Sequence, residues 1–233
     1  MTSPIRLWDL AGEDPDRRFS PYCWRVRLAL LHKGLAFEAV PWRFTEKERI
    51  AFSGQGKVPV IEDGGTVVYD SWTIAQYLED RYPDRPSLFG GGAGRALSHF
   101  VSEWASQVVV PQLFRFICRD IRDCLGEEDA AYYRSSREAR LKATLEDYAA
   151  DRDQRLAAFR ADLRPLRTTL GSQPFIAGAA PAWADYAVFG AFQWARCVSP
   201  YRLLSDDDPV AAWRERMMDL YDGEARRAVG FPP

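Results

Sequence analysis

Apolar and polar positions in the N-terminal third of the chain switch repeatedly between strand-like and helix-like spacing. "PIRLWDL" (residues 4–10) is a short, mostly apolar run of strand length. In "YCWRVRLALLHKG" (22–34), Trp24, Leu28 and Leu31 fall on one helical stripe, and Gly34 supplies a C-terminal stop. "AFEAVPW" (36–42) returns to a strand pattern. "KVPVIED" and "TVVYD" flank Gly64-Gly65 and predict a β-hairpin. "SWTIAQYLEDRYP" (71–83) predicts a helix closed by Tyr82-Pro83. The predicted order is β-α-β-β-β-α, with the first two strands parallel and the hairpin forming an antiparallel edge.

The turn-rich "PDRPSLFGGGAGR" then separates two regions of different character. Beyond it the spacing is helical, with predicted helices near 95–125, 128–170, 182–198 and 209–221 and no convincing strand pair. The stretch beginning "YYRSSREARLKATLEDYAAD" mixes charges at helical spacing and reads as a solvated helix face. The expected fold class is therefore α/β plus all-α: a small α/β domain over 1–85, a linker over 86–94, and a helical bundle over 95–233.

Composition narrows the function classes. With 233 residues, 47% hydrophobic and 27% charged, the chain can bury a full core in one large or two modest domains. A formal net charge of −2 gives no steering toward nucleic acid or anionic lipid, so neither is an expected partner. No run approaches the ~20 apolar residues of a membrane span. The opening "MTSPIRLWDL" lacks a signal peptide's cationic-then-apolar plan. Cys23, Cys118, Cys124 and Cys197 form no disulfide or zinc pattern, and His32 and His99 are the only histidines. No metal is expected, and a reducing cytoplasm is the expected location.

Three short motifs could carry chemistry. In "FSPYCWR", Ser20 suits a helix N-cap and Pro21 the first helical position, while Phe19 and Trp24 stand at the positions of a hydrophobic staple. A helix start explains the motif, but a hydroxyl at a helix N-terminus can also hold a thiolate or carboxylate. In "KVPVIE", Pro59 interrupts a strand, which fits either an edge strand or a cis bond after Val58. A cis turn could leave the Val58 N–H and C=O free to pair with an extended peptide. In "YDSW", Asp70 and Ser71 are both good N-caps, and this helix start could also receive a free α-carboxylate while Asp70 takes an ammonium. Cys23 reads either as a small core hydrophobe or as a thiol of lowered pKa near a helix N-terminus.

In order and spacing these motifs resemble those of the cytosolic glutathione transferases, whose two domains match nearly the whole chain. The resemblance implies a thioredoxin-like N-terminal domain, a helical C-terminal domain, a dimer, and glutathione as co-substrate. It implies that Ser20 lies by the glutathione sulfur and that Lys57 and Val58, before a cis Pro59, contact the cysteinyl-glycine part. Asp70 and Ser71 would hold the γ-glutamyl end. "SPYCWRVRLALLHKG", "VPVIEDGGTVVYDSWTIAQYLEDRYPDRPSLF" and "LSDDDPVAAWRERMMDLYDG" are similar to the bacterial glutathione-dependent β-etherases and to fungal transferases related to them. The activity this implies is attack of the glutathione thiolate on an electrophilic aromatic substrate, with cleavage of a β-aryl ether as one form of it, and Tyr22 and Trp42 could stack on such a substrate. A non-catalytic binding protein for aromatic compounds and a glutathione-dependent isomerase need the same glutathione site. Ser20 stands where cysteine-bearing transferases place their nucleophile, which argues against disulfide chemistry. "PAWAD" departs from the family pattern by placing Ala182 where a hydroxyl residue usually precedes the helix-capping Asp185. That loss would cost about 0.5–2 kcal/mol of helix-start stability unless another group caps.

Overall fold

The structure is a computed structural model and describes residues 4–232. Its N-terminal domain holds a four-stranded sheet ordered β2-β1-β3-β4, from β1 (Ile5–Leu10), β2 (Phe37–Trp42), β3 (Val60–Asp63) and β4 (Thr66–Tyr69). β1 and β2 are parallel from Ile5↔Phe37 to Leu10↔Trp42, joined by helix α1 (Pro21–His32). β3 runs antiparallel to both β1 and β4. Positive φ at Gly64 and Gly65 (55° and 89°) makes the tight hairpin turn, a conformation that favours two glycines. Helix α2 (Ser71–Arg81) follows β4 directly. The element order and the helical second domain follow the hydrophobic pattern, and the first domain is thioredoxin-like, as the resemblance implies. The pattern did not predict the 3-10 helix over Lys47–Ser53, a tight segment tied to β2 by the Trp42 Nε1–H bond to the Glu46 carbonyl and ended by Gly54 at φ 69°.

The C-terminal domain corrects several predicted boundaries. The expected 95–125 helix is a rod of α3 (Gly92–Trp104), a π turn (Ala105–Val109) and α4 (Val110–Arg122). Pro111 explains the π turn, since it has no N–H for an i→i−4 bond and its ring crowds the preceding turn. The expected single helix over 128–170 is four: α5 (Glu127–Leu141), α6 (Leu145–Tyr148), α7 (Arg152–Asp162) and α8 (Arg164–Leu170). α5 ends where Lys142 turns left-handed (φ 56°), and the Thr144 hydroxyl caps α6 by accepting from the Asp147 N–H. The breaks after α5 and α6 carry no glycine or proline to mark them in sequence, whereas Pro165 stands at the start of α8. α10 (Pro209–Arg227) reaches past the expected 221, with a break at Leu220–Gly223.

Helix α9 (Trp183–Val198) is buried at every residue and joins the domains by packing on α1. Gly190 allows that approach: a Cβ there would lie 2.3 Å from the Pro21 carbonyl oxygen. The start of α9 answers the missing hydroxyl at Ala182. Asp185, fully buried, accepts from the main-chain N–H groups of Ile176 (2.7 Å), Ala177 (3.1 Å) and Ala182 (3.2 Å), and from Trp213 Nε1–H (2.9 Å). Its own N–H donates to the Ala182 carbonyl (2.9 Å). Asp185 thus performs its half of a capping box and also ties α9 to α10 and the preceding loop.

Candidate functional site

A cavity of about 890 Å³ opens between the two domains, and Ser20, Tyr22, Trp42, Lys57 and Val58 are on its wall. Ser20 is the N-cap of α1, with extended backbone (φ −64°, ψ 126°) and a side-chain oxygen that accepts from the Cys23 N–H at 3.2 Å. With that oxygen engaged as an acceptor, the hydroxyl hydrogen remains to donate. It does so beside the positive end of the helix dipole. Trp24 Nε1–H donates to the Arg18 carbonyl (2.8 Å) and Phe19 packs edge-on to Phe44, which fix the entry into the helix from both sides.

Cys23 faces the other way. It has no solvent exposure, and its Sγ lies 4.0 Å from the Trp8 carbonyl in the layer between α1 and the sheet. Burial, with the Asp9 carboxylate nearby, pushes its thiol pKa well up, the reverse of a reactive cysteine.

The Val58–Pro59 peptide is cis. The β3 ladders begin at Val60, and among the described residues Val58 has no main-chain turn bond. Lys57 is exposed and Val58 half-buried at the cavity edge. Asp70 and Ser71 lie outside the cavity wall, at the start of α2. Because Val60 pairs with Tyr69, one step further along the hairpin brings Asp70 beside Pro59. Asp70, rather than Ser71, is the N-cap: its Oδ1 accepts from the N–H groups of Trp72 (3.1 Å) and Thr73 (3.0 Å) and from the Thr73 hydroxyl (3.2 Å). Its backbone is held at φ 69°, ψ 129°, a region that non-glycine residues rarely occupy and that recurs at ligand sites. Ser71 is the first helical residue and is buried.

The two aromatic candidates differ. Tyr22 is partly exposed, with the Arg25 guanidinium 4.6 Å from its ring centre. Trp42 is only 2% exposed and its N–H is engaged by Glu46, so it acts as wall.

Several residues of this region carry no sequence signal as single positions. Arg25, on α1 behind Tyr22, is 2% exposed and reaches across the domain boundary to donate to the Ser106 hydroxyl (3.0 Å), while its Nε and Nη2 have no partner. Burial draws its pKa down to about 10, against the opposing pull of Tyr22, Asp70 and Glu103. The far wall of the cavity is aromatic, with Phe114 of α4 stacked on Trp194 of α9 (centroids 6.1 Å apart, 12° between planes). α5 contributes Tyr133, Arg137, Arg140 and Leu141, which share one face at helical spacing. The sequence reading of this stretch as a solvated face holds only for its outer side, where Arg134 pairs with Glu138 and Glu146.

Comparison with known proteins agrees with the two-domain fold. Residues 15–86 match the glutathione S-transferase N-terminal domain, and residues 96–220 match the glutathione S-transferase C-terminal domain. Glutathione S-transferase Z2 of Arabidopsis thaliana is 29% identical over 110 residues, 45% of this chain and 49% of that one. A zeta-class glutathione S-transferase of Euphorbia esula is 33% identical over 93 residues, 38% of this chain and 41% of that one. The chain thus spans half or less of the length of these relatives. Among solved structures, glutathione transferase GSTFuA3 of Phanerochaete chrysosporium is 25% identical, with TM-score 0.76 over 96% of this chain and 93% of that one. A glutathione S-transferase of Ceriporiopsis subvermispora, solved in complex with glutathione, shares the fold at 22% identity and TM-score 0.77, over 96% of this chain and 94% of that one.

Proposed function

The chain belongs to the glutathione S-transferase family, and from that premise we propose that it is a transferase of the β-etherase-like group, using the glutathione thiolate to attack an aromatic electrophile. The observation that carries this reading is the Ser20 hydroxyl, with its oxygen engaged by the Cys23 N–H and its hydrogen free at the cavity wall. A thiolate seated there accepts that hydrogen and sits at the positive end of α1, so ionisation of the thiol is favoured near pH 7. The cysteinyl part of glutathione pairs with the open main chain of Val58, beside Lys57. The γ-glutamyl carboxylate meets Ser71 and the start of α2, and its ammonium meets Asp70 Oδ2, since Oδ1 already accepts three bonds. The sulfur then attacks a carbon bearing a phenolate leaving group. A C–S bond forms, the C–O bond breaks with its electron pair going to oxygen, and the thiol proton goes to solvent.

The aromatic far wall, and the resemblance of the quoted sequence stretches to β-etherases, support the ether substrate. Titration calorimetry with glutathione and S-methylglutathione is expected to show saturable binding, and incubation with glutathione and a β-aryl ether is expected to yield a thioether and a free phenol. No binding up to several millimolar ends the reading. An isomerised substrate without glutathione consumption would replace transfer by cofactor use, and binding of an unchanged ether would replace it by sequestration.

A further inference from the structure

Among the described residues, the cavity wall contains four cationic side chains, Lys47, Lys57, Arg137 and Arg140, and no carboxylate. Composition does not explain this, because the chain has 33 acidic residues against 31 basic ones and a net charge of −2. Nor does local supply of acids: on the same helix Arg134 takes both Glu138 and Glu146, while Arg137 and Arg140 make no ion pair among the described residues. Lys57 lies beside the edge assigned to glutathione, and Lys47 lies over the Tyr132 ring (4.6 Å). The two arginines lie elsewhere, on the C-terminal domain and among aromatic rings. The Arg137 guanidinium is 5.1 Å from the centre of the Phe44 ring and 5.0 Å from that of Tyr133, and Arg140 is 5.9 Å from that of Phe114.

Arg137 Nη1 donates to the Ser136 hydroxyl (3.0 Å), and its remaining N–H groups have no protein acceptor among the described residues. The flanking rings hold the guanidinium so that its N–H edges remain for a ligand. Its half-buried position and the nearby Arg140 charge both disfavour the cation, burial most of all, so a bound anion would relieve an existing strain. Resting on the transferase reading above, we propose that the second substrate is an aromatic acid whose carboxylate is held by Arg137 and Arg140 while its electrophilic carbon faces the glutathione sulfur. The guanidinium fork matches a carboxylate in a way the lysines do not. The surrounding rings accept the aromatic body.

The test uses two glutathione conjugates that differ only in charge. S-(4-carboxy-2-nitrophenyl)glutathione and its 4-carbamoyl counterpart are titrated by calorimetry into the full chain and into the Arg137→Gln/Arg140→Gln variant, with S-methylglutathione as the reference ligand. The wild-type chain is expected to bind the acid about ten- to a hundredfold more tightly than the amide. In the variant that ratio is expected to fall toward one. Conjugation of 4-chloro-3-nitrobenzoate and 4-chloro-3-nitrobenzamide, each normalised to its uncatalysed rate with glutathione, is expected to show the same ratio in kcat/KM. In that reaction the thiolate forms the C–S bond, chloride leaves with the C–Cl electron pair, and the thiol proton goes to solvent. If S-methylglutathione binds but acid and amide bind equally, or if the variant keeps the ratio, the arginines only cover the aromatic wall and the proposal is wrong. If S-methylglutathione does not bind, the glutathione site itself is refuted and this inference falls with it.

Discussion

At the scale of single residues, the contrast between Ser20 and Cys23 is a matter of direction. Both belong to the first turn of α1, yet one lines the cavity and the other lies against the sheet with no solvent exposure. A charge-assisted hydrogen bond to a thiolate contributes about 1.5–3 kcal/mol. Ser20→Ala is therefore expected to raise the pKa of bound glutathione by about one to two units and to slow turnover about 10- to 100-fold. Cys23→Ser is expected to keep turnover within a few-fold while lowering stability, because it places a hydroxyl in an apolar layer. Thiolate absorbance against pH, with glutathione bound to each variant, reads both effects. A one-cysteine redox site would give the opposite result, with Cys23→Ser inactive and the pKa unmoved in Ser20→Ala. The sequence shows this half of the site because cap, proline and turn chemistry are local. The far wall was not legible: Arg137 and Arg134 are three residues apart with the same side chain, and only packing decides which one faces the cavity.

Among elements, the end of α1 is as informative as its start. His32 and Lys33 there fasten the linker and the second domain. Lys33, 1% exposed, pairs with Glu79 (2.8 Å) and donates to the carbonyls of Tyr82 and Pro86 (3.2 Å each). His32 Nε2 meets the Ser87 carbonyl (3.0 Å) and Nδ1 meets the Tyr186 hydroxyl (2.7 Å), which in turn bonds the Tyr221 hydroxyl. A carbonyl only accepts, so Nε2 carries the hydrogen and Nδ1 accepts from Tyr186. Burial, together with the Lys33 charge and against the Ser87 bond and Glu79, lowers the His32 pKa below 6.5. The folded chain therefore binds this proton less readily than the unfolded chain. Stability from His32 is fully present above the unfolded value and is lost as pH falls from there through the folded value. Urea midpoints measured at about pH 7.5 and pH 5.5 are expected to separate more in wild type than in His32→Gln; equal separations would exclude His32 as the group responsible. Nothing in "LLHKG" announces this contact, since its partners are more than 50 residues away. The helices and strands were legible wherever glycine, proline or a change of period marked an end. The breaks after α5 and α6 were not, because Lys142 ends α5 in a left-handed conformation that its residue type does not announce and Ala149 ends α6 with no glycine or proline beside it.

For the whole molecule, α3 is built inside out. It buries Ser98 and Ser102, while Leu97 and Phe100 are 68% and 71% exposed. The Ser102 hydroxyl has partners on both sides: it accepts from Trp183 Nε1–H (2.7 Å) and donates to the Ser98 carbonyl (2.9 Å). The inner face thus carries a polar contact that holds α3 to α9, beside Val101 and Trp104 packed on the core, and Leu97 and Phe100 are left outside. Tyr69 on the edge strand β4 is 45% exposed as well. A water-facing helix ordinarily shows the reverse arrangement, and contiguous exposed apolar patches mark surfaces that another molecule covers. We propose that a second copy of the chain covers this face in a two-fold dimer, in which the same patch serves both subunits. Light scattering at micromolar concentration is expected to return twice the chain mass. Leu97→Arg/Phe100→Arg is expected to return the chain mass alone with an unchanged far-ultraviolet circular dichroism spectrum, because neither residue contributes to the core and the like charges would face each other across the axis. A wild-type monomer would refute the dimer. A dimer that survives the double substitution would move the interface off α3.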